Sequence, residues 1–239
     1  MNLVLDFGNT RIKAGVFDGD LLKIKAVEFT IEELFKVLQK YQFDNCIIAT
    51  VVELSQETLH FIEEKTTCII FNAHTQTPIR NLYQSKNTLG SDRLAACCGA
   101  YLLFKGQSFL VIDAGTCLKY NYTDKNGNFI GGGISPGLNM RFKAMHEQTN
   151  KLPLIKFDEH FNDLIGINTQ NSLKMGAQLG MIAEVKGIID LYQQLDPHVN
   201  IVLTGGDASY LQKGLKNGIF ADPDLILKGL NSILNYQKK

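Results

Sequence analysis

Hydrophobic and polar positions along the chain alternate between the patterns typical of strands and of helices. Between residues 31 and 71 they predict helix, strand, helix and strand in turn, over 31–40, 45–51, 55–65 and 67–71. Further along they predict helices over 138–148, 169–194 and 223–236, and a strand over 200–204. Strands that alternate with helices indicate mixed sheets covered by helices, so we predict an α/β fold.

An eight-residue segment occurs twice. Residues 3–10 read LVLDFGNT and residues 110–117 read LVIDAGTC, with four identical positions. Each copy is followed by a second strand, a turn containing Asp-Gly or Asn-Gly, and a third strand. These predicted strands are 12–17 and 21–29 after the first copy, and 118–122 and 129–134 after the second.

The repetition predicts two similar lobes, 1–107 and 108–239, with a cleft between them. A strand that ends in Asp-x-Gly leaves a carboxylate beside exposed backbone N–H groups. Such a turn suits phosphate oxygens, and the carboxylate can hold a cation that neutralises their charge. A single copy is more often only a tight hairpin. Two equivalent copies favour a pair of turns that grips a polyphosphate from both sides.

Composition argues against several classes of protein. Lys and Arg total 24, as do Asp and Glu, and this balance disfavours nucleic acid or an anionic membrane as a partner. The longest uncharged apolar run, 94–104, is too short to span a membrane, and the N-terminus lacks the basic segment of a signal peptide. The five cysteines have no zinc-binding spacing, so we predict reduced thiols in a cytoplasmic protein.

The duplicated turn resembles the two phosphate motifs of the acetate and sugar kinase/Hsp70/actin superfamily. Three further segments resemble motifs of the type III pantothenate kinases and occur in that family's order: LGSDRLAA at 89–96, GGGISPGL at 131–138 and VLTGGD at 202–207. The resemblance implies two duplicated ribonuclease H-like lobes with a nucleotide cleft, and a homodimer with the substrate pocket at or near the subunit interface. The apolar helix 94–104 would form part of that interface, or it is ordinary core.

The resemblance also implies ATP-dependent phosphorylation of pantothenate, with Asp92 as the general base. The alternative for Asp92 is a helix N-cap. Arg93 would hold the substrate carboxylate, the alternative being a solvated arginine on a helix face. The remaining acceptor-side residues that match the family are Gly90, Ser91, Tyr83 and Thr169. For Tyr83 the alternative is simple packing, and for Thr169 it is helix capping.

On the nucleotide side, Asp6, Gly8, Asn9 and Thr10 match the first phosphate motif, with Asp6 acting through Mg²⁺. Thr116 matches the second turn, and Lys13 would reach the phosphates unless it is an outward-facing strand lysine. The family resemblance assigns a monovalent cation, K⁺ or NH₄⁺, to Asp113. Gly205 and Gly206 would let the adenosine lie close to the backbone.

Two positions depart from the family pattern. Lys119 stands where many members have threonine, which puts the monovalent-cation site in question, and Lys86 replaces a proline beside the acceptor pocket. Two rival functions follow: a kinase of the same superfamily acting on another small acceptor, or a non-catalytic accessory protein that binds nucleotide or pantothenate. Retention of Asp6, Asp92, Arg93 and Asp113 disfavours the second rival, because a protein that only binds has no need of a base, whereas Lys119 keeps this rival open.

Overall fold

The computed structural model describes residues 1–8, 11–28, 30–215 and 219–238. The strands are β1 Asn2–Phe7, β2 Ile12–Asp18, β3 Leu21–Glu28, β4 Asn45–Thr50, β5 Thr67–Ile70, β6 Arg80–Asn81, β7 Phe109–Ala114, β8 Cys117–Thr123, β9 Asn128–Pro136, β10 Asn200–Thr204 and β11 Phe220–Ala221. The helices are α1 Ile31–Leu38, α2 Gln56–Glu63, α3 Ser91–Leu103, α4 Leu138–Glu147, α5 Thr169–Lys174, α6 Gly180–Leu195, α7 Ala208–Gly214 and α8 Leu225–Tyr236.

The strands form two sheets whose central order is the same. The first sheet runs β3-β2-β1-β4-β5, and five strands of the second repeat this order as β9-β8-β7-β10-β11, with β6 added beside β9. In the first sheet, β1 is antiparallel to β2 and parallel to β4. In the second, β7 is likewise parallel to β10. The predicted α/β class, with two mixed sheets flanked by helices, is confirmed.

The chain divides into two compact units, each assembled from separate segments. Unit 1 consists of Met1–Gly106, Thr123–Gly131 and Asp224–Lys239, and unit 2 of Gln107–Tyr122 and Gly132–Pro223. One crossing between the units follows Gly106, beside the predicted boundary. A single boundary near residue 107 does not account for the two later segments of unit 1, Thr123–Gly131 and Asp224–Lys239. The division into two duplicated lobes, 1–107 and 108–239, therefore stays a proposal.

In unit 1 the two faces of β1 are buried against different helices. Leu3, Leu5 and Phe7 belong to a core cluster that includes residues of α1. On the opposite face, the side-chain amide of Asn2 donates to Asn231 of α8 at 2.8 Å. Since alternate strand residues share a face, Asp6 lies on the same side of the sheet as Asn2.

Helix α3 packs against α8 through two glycines. A Cβ at Gly99 would overlap the carbonyl oxygen of Leu225, and a Cβ at Gly229 would overlap that of Ala95. The α3 side chains from Arg93 to Ala100 are buried in this unit. The apolar helix predicted over 94–104 is therefore part of the core of its own unit. The alternative, in which it forms a subunit contact, is not needed to explain its composition.

Unit 2 is built on β7, β8 and β10. Its core joins Leu110 and Ile112 of β7 and Leu118 of β8 to Met181 and Val185 of α6. The helix predicted over 169–194 is present as α5 and α6, joined by a π-helical turn at Met175–Leu179. A π-helical turn has no signature in the hydrophobic period, so the sequence pattern predicted one continuous helix.

Three short elements were not predicted: β6, β11 and α7. The two strands have two residues each, which is too short for an alternating pattern to be recognised. Within the residues that the structure describes, no helix is both long and apolar enough to cross a membrane.

Candidate active site

Asp6 lies at the carboxyl end of β1 and is almost fully buried. The turn after it begins with Gly8, whose N–H donates to the Arg11 carbonyl oxygen at 3.1 Å. Lys13 on β2 is the direct cross-strand partner of Asp6, so both side chains lie on the same face of the sheet. The predicted phosphate ligands Asn9 and Thr10 lie outside the described residues.

The start of α3 lies at the same end of this sheet. The Ser91 hydroxyl donates to the Thr50 carbonyl oxygen at 3.2 Å, and Thr50 is the cross-strand partner of Phe7. Asp92 follows Ser91 in the first turn of α3. The carboxyl ends of β1 and β4 therefore bring Asp6 and the Gly90–Arg93 segment to one edge, where α/β sheets commonly bind ligands.

The Asp92 side chain is held by its own helix turn. Its Oδ1 accepts a hydrogen bond from the Arg93 N–H at 2.9 Å. A Cβ at Gly90 would lie 2.6 Å from the same oxygen, so glycine leaves the carboxylate its room. The N-cap of α3 is Gly90. The N-cap position proposed as the alternative for Asp92 is therefore occupied by Gly90, and this alternative is wrong.

Arg93 is buried, with only 4% of its surface exposed. Its guanidinium carbon lies 5.5 Å from the ring centre of Tyr83 and 5.9 Å from that of Phe129, within cation–π range. The alternative of a solvated helix-face arginine is therefore wrong. Tyr83 and Phe129 contact each other with ring centres 6.0 Å apart, so Tyr83 packs on Phe129 and also borders the guanidinium.

Two residues that contact Tyr83 were not predicted as part of the site from the sequence. Phe129 lies on β9, and its role is visible only once β6 pairs with β9 and brings Tyr83 beside it. Gly131 has φ near +137°, and a Cβ there would lie 3.3 Å from the Tyr83 ring. The one sequence signal for Gly131 was its place at the start of the GGGISPGL segment.

Asp113 occupies the position in unit 2 that Asp6 occupies in unit 1, near the end of the corresponding strand. In the turn that follows, the Gly115 N–H donates to Cys117 O at 3.1 Å, and the exposed Thr116 accepts from the Gly137 N–H at 3.2 Å. A Cβ at Gly137 would overlap the backbone of this turn. The SPG part of the 131–138 motif thus packs against the second predicted phosphate turn.

The Thr-Gly-Gly segment lies against the same turn. Gly205 has φ near +94°, and a Cβ there would lie 2.7 Å from Asp113 Oδ1 and overlap the Ala114 carbonyl oxygen. The Asp207 N–H donates to that carbonyl oxygen at 2.9 Å. Burial raises the pKa of the Asp207 carboxyl above its ordinary value. Gly206 has open space where a Cβ would stand.

Lys119 reaches Asp113 directly. Its Nζ lies 2.9 Å from Asp113 Oδ2, and the two side chains are 18% and 6% exposed. The described residues contain no group of three or more His, Cys, Asp and Glu side chains suited to a metal ion. One carboxylate oxygen of Asp113 therefore already accepts a hydrogen bond from an ammonium group, which leaves less of the carboxylate for a monovalent cation.

Thr169 is the first residue of α5, and its surface is exposed. The cap of this helix is Asn168, whose side chain accepts from the Asn171 N–H at 2.9 Å. The capping alternative for Thr169 is therefore wrong. Thr169 belongs to unit 2, whereas Tyr83 and Gly90–Arg93 belong to unit 1. Lys86, the second departure from the family pattern, begins a short 3-10 turn at Lys86–Thr88.

Two solved structures share this fold at low sequence identity. One, from Campylobacter jejuni and provisionally assigned to the Baf family of transcriptional activators, has a TM-score of 0.67 at 22% identity and covers 99% of this chain and 98% of that chain. The ROK hexokinase from Thermus thermophilus has a TM-score of 0.52 at 16% identity, covering 99% of both chains. These likenesses confirm the fold and nothing more specific.

Sequence comparison narrows the assignment. The profile of the type III pantothenate kinases matches residues 2–191. A type III pantothenate kinase from Bacteroides fragilis (strain YCH46) is 39% identical over 239 residues, covering 99% of this chain and 98% of that protein. Because the matches extend over most of the sequence and include both Asp-x-Gly turns and the Gly-Ser-Asp-Arg segment, the chain belongs to the type III pantothenate kinase family.

Proposed function

We propose that this protein transfers the γ-phosphoryl group of ATP to the primary hydroxyl of pantothenate, the first step toward coenzyme A. The observation that carries the proposal is the edge of the first sheet, where buried Asp6 and the Gly90–Arg93 segment converge. The Asp6 carboxylate is suited to the metal-bound phosphates of the nucleotide. Asp92 and Arg93 are suited to an alcohol that also carries a carboxylate.

Arg93 supplies the recognition of the acceptor. Pantothenate carries a carboxylate, which a guanidinium binds through two parallel hydrogen bonds. The rings of Tyr83 and Phe129 beside Arg93 lower the local dielectric, so this attraction is stronger than it would be in water. A sugar without a carboxylate gains nothing from this arrangement, and this disfavours the rival acceptors.

Asp92 acts as the general base. As the alcohol oxygen bonds to the γ-phosphorus, Asp92 accepts the hydroxyl proton, and the bond from the γ-phosphorus to the bridging oxygen breaks to release ADP. The hydrogen bond from the Arg93 N–H to Oδ1 fixes the rotamer of Asp92 at the start of α3.

The residues of the two Asp-x-Gly motifs are the proposed phosphate ligands. They are Gly8, Asn9 and Thr10 of the first motif and Thr116 of the second, and Lys13 lies on the same face of its sheet as Asp6. A single buried carboxylate such as Asp6 fits Mg²⁺, which keeps most of its waters and takes its other ligands from phosphates. When bound, Mg²⁺ neutralises the charge that develops on the phosphoryl oxygens.

We also propose a homodimer. A short segment of the chain exposes three large apolar side chains, those of Leu164, Ile165 and Ile167. Exposed apolar side chains grouped in this way are typical of an interaction surface, and a second copy would cover them. A cytoplasmic location is proposed because all five cysteines are free thiols.

The test is ADP release with pantothenate, with sugars and acetate as alternative acceptors, for the wild type and Asp92→Asn. Asparagine keeps the acceptor oxygen for the Arg93 N–H but cannot take a proton, so we expect kcat to fall by about 10²–10⁴-fold while KM for ATP stays within a few-fold. Glu57→Gln removes a first-turn carboxylate from α2 and serves as the matched control, with unchanged kcat. Full activity of Asp92→Asn would refute the assignment of the base. Turnover with a sugar in place of pantothenate would refute the acceptor.

A further inference from the structure

Lys119 and Asp113 form a buried ion pair at the second predicted phosphate turn. Asp113 lies on β7 and Lys119 on β8, six residues apart across the Gly115-containing turn. Their 2.9 Å separation is that of a charge-assisted hydrogen bond. The pair therefore belongs to the turn itself.

Each oxygen of the Asp113 carboxylate has a neighbouring residue. Lys119 occupies the Oδ2 side, and Gly205 faces the Oδ1 side, where an added Cβ would lie 2.7 Å from that oxygen. A free cation that bound Oδ2 would have to displace the lysine ammonium. The residues present do not fit a loosely bound monovalent cation.

A buried carboxylate needs a compensating positive charge, because an unpaired charge in a low-dielectric site is strongly unfavourable. A dissolved ion meets this need only in proportion to its concentration. An ammonium group on the neighbouring strand is always present, because its local concentration is set by the fold.

We propose that Lys119 is a built-in cation: it neutralises Asp113, fixes the second phosphate turn, and makes the reaction independent of potassium or ammonium ions. Lys119 is a positioning residue in this scheme, acting through Asp113 and the turn. The inference rests on the proposed kinase function. It replaces the monovalent cation that the family resemblance had implied at Asp113.

The first experiment uses the wild-type protein. Pantothenate-dependent ADP release is measured in the chlorides of potassium, ammonium, sodium and tetramethylammonium at equal ionic strength. We expect the four rates to agree within about twofold. A rate at least tenfold higher with potassium or ammonium than with tetramethylammonium would overturn the proposal.

The second experiment removes the built-in charge. In Lys119→Ala we expect turnover in tetramethylammonium chloride to fall at least tenfold and to recover with potassium, ammonium or propylammonium, which can occupy the vacated space. Lys174→Ala is the matched control, since Lys174 pairs with Asp158 at 2.7 Å and is 19% exposed, much like Lys119. It should show no response to the cation. A Lys119→Ala protein that is fully active in every salt would overturn the proposal.

A third measurement does not depend on turnover. Bound cations raise the melting temperature of the state that binds them. Potassium should therefore raise Tm relative to tetramethylammonium in Lys119→Ala by several degrees, and leave the wild type and Lys174→Ala unchanged. A potassium-dependent Tm in the wild type would contradict the inference. If Lys119→Ala does not fold, Lys119→Met, which keeps most of the side-chain volume, takes its place. If no acceptor is phosphorylated in any salt, the kinase proposal fails, while the melting data still decide the role of Lys119.

Discussion

The contact between α3 and α8 gives a sharp test, because a substitution that normally stabilises a helix should here destabilise the protein. In Gly229→Ala the new methyl group would overlap the Ala95 carbonyl oxygen and lie 2.8 Å from the Gly99 nitrogen. Both of these neighbours are backbone atoms, so no side-chain rotation can relieve the overlap. The two helices have to separate.

The magnitude follows from two opposing effects. Overpacking lowers the free energy of unfolding by about 1–3 kcal/mol. We take the upper end of this range because the atoms that the methyl group would overlap belong to the backbone. Alanine recovers about 1 kcal/mol over glycine in a helix interior. The net loss in the free energy of unfolding is therefore about 2 kcal/mol, which corresponds to a Tm lowered by about 4–8 °C in a chain of this size.

The assay is thermal unfolding followed by circular dichroism, with Gly187→Ala as control. Gly187 lies in the interior of α6, and nothing stands within 4 Å of a Cβ there. The same substitution should raise Tm by about 2–4 °C at that position. Gly99→Ala should resemble Gly229→Ala. The double variant should lose less than the sum of the two, because one separation of the helices accommodates both methyl groups.

The essential result is that alanine lowers the Tm at position 229 and raises it at position 187. A Gly229→Ala protein as stable as the wild type, or more stable, would show that the helices do not approach this closely in solution. Close packing by α8 would then no longer account for the position of α3, the helix that bears Asp92 and Arg93.

Three further predictions concern the site. Arg93→Met should lower kcat/KM for pantothenate by about 30- to 150-fold, or ~2–3 kcal/mol for a charge-assisted hydrogen-bond pair, and much less for pantothenyl alcohol; equal losses for both acceptors would contradict carboxylate recognition. Gly90→Ala should lower kcat with little change in Tm, because the flexible Asp92 side chain moves away from the new methyl group; an unchanged kcat would argue against the observed Asp92 rotamer. Burial raises the pKa of Asp207 above 3.8, so the folded state binds more protons than the unfolded state between that value and the raised one, and stability falls as pH rises through this window. The Tm of Asp207→Asn should therefore exceed that of the wild type by more at pH 7 than at pH 4. An equal difference at both pH values would refute the raised pKa of Asp207.

The sequence was sufficient wherever the determinants are local. The two Asp-x-Gly turns and the hairpins after them follow from eight-residue patterns, and the structure repeats one strand order in both sheets. The strand predicted over 200–204 has the same bounds as β10. Helix ends differ from the predicted ones by a few residues, as at α3, which begins at Ser91 and not at residue 94.

What the sequence could not predict depends on contacts between distant segments. The family resemblance made Arg93 a ligand of the substrate carboxylate, with a solvated helix-face arginine as the alternative. Its burial beside Tyr83 and Phe129 depends on contacts between distant segments. The departure at Lys119 was visible in the sequence, but whether its ammonium reaches Asp113 depends on the pairing of side-chain positions across the turn. The need for glycine at 99 and 229 arises from helices more than 120 residues apart in the chain.

The discontinuity of unit 1 has a consequence for the order in which the protein is made. The ribosome completes α3 long before it reaches α8, and at about 5–20 residues per second the intervening segment takes several seconds or more to synthesise. During that interval the small-residue face of α3 lacks the helix that covers it, whereas the segments of unit 2 are finished before α8. The part of the acceptor side that lies in unit 1 is thus the last to mature. A nascent chain halted before Leu225 would contain every predicted site residue, but its unit 1 could not close.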